Sequence, residues 1–172
     1  MNIWVAIFTV EIVIIVFLIW MVWSVVVGAP WLPTPKSKVR AMLEFANVGE
    51  GDTLYDLGSG DGRILIIAAK EFGAKAVGIE ADPLRQRWSK LMIRRNNLSS
   101  QVQVLRGNFF NFDIGEASIV TLYLGVATNN KLREKLAKEL KPGSRIVSHF
   151  FLLKDWNPTQ TDEKEELYLY SI

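Results

Sequence analysis

The run Tyr55-Asp56-Leu57-Gly58-Ser59-Gly60-Asp61-Gly62-Arg63 constrains this chain more than any other feature. It joins an apolar segment that reads as a strand, residues 53–57, to a helix-patterned segment, residues 63–72, so the glycines sit where a strand turns straight into a helix. A turn of this kind lets backbone approach a nucleotide-like ligand closely. Beyond it the hydrophobic period keeps switching. Strands are expected over 76–80 and 102–105 with a helix over 83–96 between them, followed by a strand over 119–124, a helix over 130–140, and strands over 145–151 and 167–171. Alternation of this type builds a parallel sheet covered by helices. The fold class is therefore α/β, a Rossmann-like sheet with helices on both faces. Little sequence separates 151 from 167, so no crossover helix is expected there and the sheet edge should be trimmed.

Acidic residues distinguish the ligand. A dinucleotide places its pyrophosphate at the helix N-terminus, where Asp56 and Asp61 would repel it. S-adenosylmethionine (SAM) has no phosphate and carries an ammonium and a sulfonium, which carboxylates attract. The spacing is Gly-x-Gly-x-Gly, not the wider Gly-x-Gly-x-x-Gly of the dinucleotide turn. Glu80, at the end of the second strand, has the geometry to accept both ribose hydroxyls. Asn108 and Phe109 follow the third strand, where an amide suits the adenine edge and a ring suits its face. A structural turn and a core phenylalanine are the plainer alternatives for that pair.

Ahead of this domain, residues 3–27 carry one charge, Glu11, and little else that is polar. As a helix they would extend about 37 Å at ~1.5 Å per residue, enough to cross a hydrocarbon core of ~30 Å. Trp4 at one end and Trp20, Trp23 and Trp31 at the other fit an aromatic belt, and Gly28, Pro30, Pro33 and Pro35 break the helix. A cleaved signal peptide fits less well, because the apolar run is too long and Met1-Asn2 has no basic character. Glu11 is either a tolerated acid reaching toward an interface or a helix–helix contact. Lys36, Lys38 and Arg40 follow the run and no Lys or Arg precedes it, so the expected topology is a single-pass membrane protein with its catalytic domain cytoplasmic and its N-terminus outside. The segments read as an anchor at 1–29, a stiff linker and helix at 30–48, and the catalytic domain at 49–172. Within the linker, Val39, Met42, Leu43 and Ala46 form a helical stripe.

Composition narrows the function further. The 172 residues include no cysteine and one histidine, so no disulfide framework, thiolate nucleophile or metal site is expected. A net charge of +2 does not argue for nucleic acid as a partner. Arg85, Arg87, Lys90, Arg94 and Arg95 read as a solvated helix face or as a contact for anionic lipid.

The loop 56–62, the acid Glu80 and Gly107-Asn108-Phe109-Phe110 resemble the first three motifs of class I SAM-dependent methyltransferases. Pro33-Thr34-Pro35, the loop through Arg63, Glu139-Leu140-Lys141-Pro142-Gly143, Ser148-His149 and Trp156-Asn157-Pro158 resemble the small protein-lysine methyltransferases of prokaryotes and mitochondria. That resemblance implies a cofactor site formed by Thr34, Asp56, Gly58, Ser59, Gly60, Asp61, Glu80, Asn108 and Phe109, with SAM as cofactor. It implies a protein substrate, and the anchor with its short linker points to membrane proteins among the targets. Tyr123 is the candidate for orienting the amine, with the Leu124 carbonyl as a second acceptor. The segment Tyr123-Leu124-Gly125-Val126-Ala127 lacks the acidic or amide residue with prolines that suits DNA bases or glutamine. Other readings are methylation of a lipid or hydrophobic small molecule, and a noncatalytic SAM-binding scaffold. His149 is expected as a hydrogen-bonded structural residue, and Trp156 either rims the channel or caps the core.

Overall fold

The computed structural model describes residues 3–26 and 34–172, with side chains in the first helix described as far as Ile19. The chain divides into two compact units, Met1–Leu32 and Pro33–Ile172. The first contains helix α1, Ile3–Val26, in which the Thr9 hydroxyl donates back to the Val5 carbonyl at 2.7 Å. Among the described residues no helix is long and apolar enough to cross a membrane, so the expected span is not established there. The side chains of Trp20 and Trp23, and the linker residues Gly28, Pro30, Trp31 and Pro33, lie outside the described residues.

In the second unit the elements run α2 (Lys36–Phe45), β1 (Thr53–Leu57), α3 (Arg63–Phe72), β2 (Lys75–Glu80), α4 (Pro83–Arg95), β3 (Val102–Arg106), a 3-10 turn (Phe109–Asn111), β4 (Ile119–Leu122), α5 (Val126–Glu139), β5 (Arg145–His149), β6 (Gln160–Asp162) and β7 (Leu167–Ser171). One sheet has the order β3-β2-β1-β4-β5-β7-β6. The first five of these strands pair in parallel and β7 runs antiparallel to both neighbours. The order reverses between β1 and β4, and a crevice opens beyond strand carboxyl ends at such a point.

Two apolar clusters sandwich the sheet. Val39, Met42 and Leu43 of α2 join Leu65 and Ala68 of α3 and Ile93 of α4 on one side, while Leu132 and Leu136 of α5 join Ile114, Ile146 and Tyr170 on the other. The stripe expected in the linker segment thus belongs to the core of the catalytic unit. The trimmed edge takes a specific form: no helix connects β5 to β6, yet a three-residue β6 still pairs with β7.

Three boundaries differ from the sequence reading by two residues or more. Helix α5 starts at Val126 instead of 130, because extended Gly125 accepts the first helical N–H groups from Thr128 and Asn129, both at 3.0 Å. Thr128 and Asn129 lie outside the helix expected from 130, yet Asn129 is fully buried and donates to the Phe151 carbonyl at 3.3 Å. Strand β4 ends at Leu122, so Tyr123 and Leu124 follow it outside the ladder. Strand β5 ends at His149 because Phe150 adopts φ 72°, a left-handed conformation that stops a ladder.

Gly62 shows how tightly the loop is fitted. It has φ 79°, and a Cβ there would lie 2.1 Å from Ser89 Oγ on α4. Gly62→Ala is therefore expected to cost roughly 2–5 kcal/mol, the left-handed backbone and the overpacking together. Urea unfolding measures this, and adding Ser89→Ala should recover only the overpacking part.

Candidate cofactor and active site

The loop after β1 is held from below by β2. The Gly58 and Ser59 N–H groups both donate to the Ile79 carbonyl, at 2.9 and 3.2 Å, and Gly62 N–H donates to Ser59 O at 2.9 Å. Gly78 makes this seat possible, since a Cβ there would sit 2.5 Å from both Ser59 Oγ and Leu65 Cδ1. On the other side Leu124 closes over the loop, its Cδ2 3.2 Å from where a Gly58 Cβ would stand. Neither residue's part in the loop was visible in the sequence, although a glycine inside a strand signals close approach.

Glu80 is buried at the end of β2 and organises the floor of the crevice. Its Oε2 accepts from Gly60 N–H at 2.7 Å and its Oε1 from Asp82 N–H at 2.8 Å. Each carboxylate oxygen has a further lone pair, so a diol can still be accepted. Asp82 in turn caps α4, accepting from Leu84 and Arg85 N–H ahead of Pro83 at the first helical position.

Asp56 faces Thr121 across the β1–β4 switch, where the two are register partners. The Thr121 hydroxyl donates to Asp56 Oδ1 at 2.8 Å, while Oδ2 is buried without a partner, as is Ser59 Oγ. Burial pushes the Asp56 carboxyl up to about 7; the Thr121 hydrogen bond opposes this, and the Glu80 and Asp61 charges add to it. A buried, unpartnered carboxylate oxygen beside a ribose-competent glutamate fits a ligand with an ammonium at one end and a diol at the other.

The raised value fixes a pH dependence. Between the ordinary 3.8 and about 7 the ligand-free fold holds a proton that the unfolded chain has lost. This group's contribution to stability is thus complete below the ordinary value and is lost as pH rises through about 7. A cation at Oδ2 favours the ionised form, so SAM affinity is expected to climb by up to about tenfold per pH unit toward neutrality and then level until the ligand's own ammonium titrates. Calorimetric titration across this range checks it, and Asp56→Asn should flatten the rising limb.

The remaining sequence-designated residues divide by position. Asp61 does not stand free as a cation acceptor: it pairs with Arg63, whose Nε lies 2.9 Å from Oδ1, and Arg63 Nη1 donates to the Thr34 carbonyl at 2.6 Å. Buried Thr34 is thereby tied to the loop. Asn108 Oδ1 accepts from Phe110 N–H at 3.0 Å, and Phe109 stacks on Phe110 with ring centroids 4.8 Å apart. Trp156 packs against Tyr170, centroids 6.2 Å apart, as part of the second core cluster.

At the carboxyl ends of β4 and β5, Tyr123 and His149 stack with centroids 4.6 Å apart, and His149 meets Phe150 edge to face. His149 departs from the expected hydrogen-bonded residue, since its buried Nδ1 has no partner. Burial first, then nearby Lys38, lower its pKa, so the ring is neutral near pH 7.

A seven-stranded sheet with a glycine loop after β1, an acid closing β2 and a strand-order reversal between β1 and β4 defines a SAM-dependent methyltransferase. Residues 56–160 match the ANTKMT methyltransferase domain, and the chain belongs to that family. It is 46% identical over 156 residues to a protein-lysine N-methyltransferase of Saccharolobus islandicus, covering 87% of this chain and 97% of that one. It is 33% identical to the adenine nucleotide translocase lysine N-methyltransferase of Mus musculus, over 75% of this chain but 56% of that longer protein. A crystal structure described as an RNA methyltransferase from Salinibacter ruber, in complex with S-adenosyl-L-homocysteine, superposes with a TM-score of 0.80 at 45% identity, covering 82% of this chain and 94% of that one. SAM is the cofactor.

Proposed function

We infer that this protein transfers methyl groups from SAM to lysine side chains of proteins, and that α1 anchors it to a membrane. The observation that carries the first part is the Tyr123–His149 pair, which stands at the ends of β4 and β5 beside the Asp56–Thr121 crevice. SAM supplies an electrophilic methyl carbon, which the amine lone pair takes as the carbon–sulfur bond breaks. No covalent enzyme nucleophile is needed. The protein must present a neutral amine in line and keep water out. The Tyr123 hydroxyl accepts a hydrogen bond from the amine and directs its lone pair; neutral His149 holds the Tyr123 ring by stacking. Exposed Val126, Phe150 and Leu152 border these residues along the chain and offer an apolar approach for the lysine methylenes.

The names carried by the Saccharolobus and mouse relatives support lysine as the acceptor. One observation favours RNA instead, the description of the Salinibacter protein. The segment after β4 argues for lysine, because Tyr123-Leu124-Gly125-Val126 has no acid or amide side chain to recognise a base edge.

Support for the anchor comes from the sequence, in which residues 3–27 carry Glu11 as their sole charge and would extend about 37 Å as a helix at ~1.5 Å per residue. With Lys36, Lys38 and Arg40 after it, the catalytic unit would lie on the cytoplasmic side. Membrane proteins would then be favoured substrates through high local concentration.

The test offers methyl-labelled SAM and the full chain to membrane proteins, soluble proteins, lipids and RNA separately. Label recovered as methyl-lysine is the expected result; label confined to RNA or lipid, or SAM bound with no transfer, overturns it. Tyr123→Phe should lower kcat about 10- to 100-fold, the loss of one hydrogen bond to a charged or developing-charge group, and leave SAM affinity unchanged.

A further inference from the structure

Helix α4 has its amphipathicity inverted. Its inward face is Gln86, Ser89 and Ile93, of which two are polar, whereas Leu84, Trp88 and Leu91 project outward. At 100° per residue these three, spaced i, i+4 and i+7, centre on the line diametrically opposite the core. Their exposures are 58%, 53% and 41%, on the face where a surface helix ordinarily carries its charges. Positive charge borders the stripe: Arg87, Lys90 and Arg94 line one flank, and Arg95 ends it. No acid lies within α4.

We propose that this face of α4 is a docking surface for an anionic lipid bilayer, with Leu84, Trp88 and Leu91 entering the headgroup–acyl boundary and the flanking cations meeting lipid phosphates and carboxylates. Leucine, tryptophan and basic residues in this arrangement are what an interfacial helix requires. A second copy of the chain is a poor occupant, because a two-fold contact would bring the basic flanks together. RNA would engage the cations, but it gives two exposed leucines nothing to bury against, since single strands are held by stacking on rings and guanidinium planes. The surface is separate from the crevice and does not depend on α1 spanning a membrane or on lysine being the acceptor.

The chain has no cysteine, so Leu91→Cys can carry a single polarity-sensitive fluorophore on the full-length protein. Flotation with phosphatidylcholine vesicles, and with phosphatidylcholine–phosphatidylserine vesicles, reads anchoring by α1; the fluorophore's emission and its quenching by brominated lipid read docking of α4. The proposal expects blue-shifted, quenched emission that is strong on the anionic vesicles and weak on the neutral ones. The triple change Arg87→Glu, Lys90→Glu, Arg94→Glu should lower the docked-to-undocked ratio by roughly tenfold or more. A fluorophore on exposed Lys138 of α5, as Lys138→Cys, should stay in water throughout. Unchanged SAM affinity of the labelled and charge-reversed proteins verifies their fold. Aqueous emission at position 91 on anionic vesicles that carry the protein overturns the docking surface while leaving the anchor intact, as does a response to RNA but not to lipid. Docking on anionic vesicles without flotation on neutral ones sustains it and removes the anchor.

Discussion

Asp56→Ala is expected to weaken cofactor binding severely and, with it, methyl transfer. Among the described residues Asp56 is the one carboxylate with a buried oxygen lacking a partner, and its hydrogen bond to Thr121 fixes which way that oxygen faces. Removing one member of a buried charge pair costs about 3–5 kcal/mol, or a loss of roughly 100-fold or more in SAM affinity. Fold stability should change in the opposite sense at neutral pH, because the ligand-free protein is relieved of a carboxyl that burial disfavours in its ionised form. Calorimetry and urea unfolding on the same preparation separate the two effects. Joint loss of stability and binding would mean that Asp56 supports the fold instead of the ligand.

Glu80→Ala should behave differently, with both quantities falling. Its two oxygens accept from the N–H groups of Gly60 and Asp82, so alanine leaves two backbone donors unpaired at the end of β2. At about 1–3 kcal/mol for an unsatisfied buried donor, a destabilisation of roughly 2–4 kcal/mol is expected. Loss of the ribose contact should weaken SAM by a further ~10-fold or more in the protein that remains folded. Glu80→Gln keeps one acceptor and should fall between. A stability within about 0.5 kcal/mol of the unaltered protein for Glu80→Ala would show that the loop is held by the Ile79 carbonyl alone.

The sequence made the strand–loop–helix start of the fold legible because hydrophobic period, glycines and acids all agreed there. Asp56 and Glu80 stood out for the same reason. Thr121 did not: a threonine inside Ile-Val-Thr-Leu is ordinary strand composition, and its role depends on register with Asp56 across a connection of more than sixty residues. Arg63 was read only as the first residue of a helix, yet it pairs Asp61 and anchors Thr34, so the charge at Asp61 is already answered within the protein. Asn129 misled in the opposite direction, a buried polar side chain inside a helix that the sequence pattern begins only at 130. Local pattern reports periodicity and turn chemistry; it does not report which distant backbone group completes a polar side chain.

The stack of Tyr123 on His149 was likewise invisible, since it arises where β4 ends early and Tyr123, the residue after it, meets His149, the last residue of the neighbouring β5. It matters to the account because it joins cofactor crevice and acceptor site at one end of the sheet.

The most direct measurement is a crystal structure of the full chain with S-adenosylhomocysteine. The expected pose has the ribose hydroxyls on Glu80, the ammonium on Asp56 Oδ2 and the sulfur toward Tyr123. Ligand density elsewhere, for instance in the groove lined by Arg40, Arg63, Lys70 and Trp88 on the other side of the glycine loop, would contradict it.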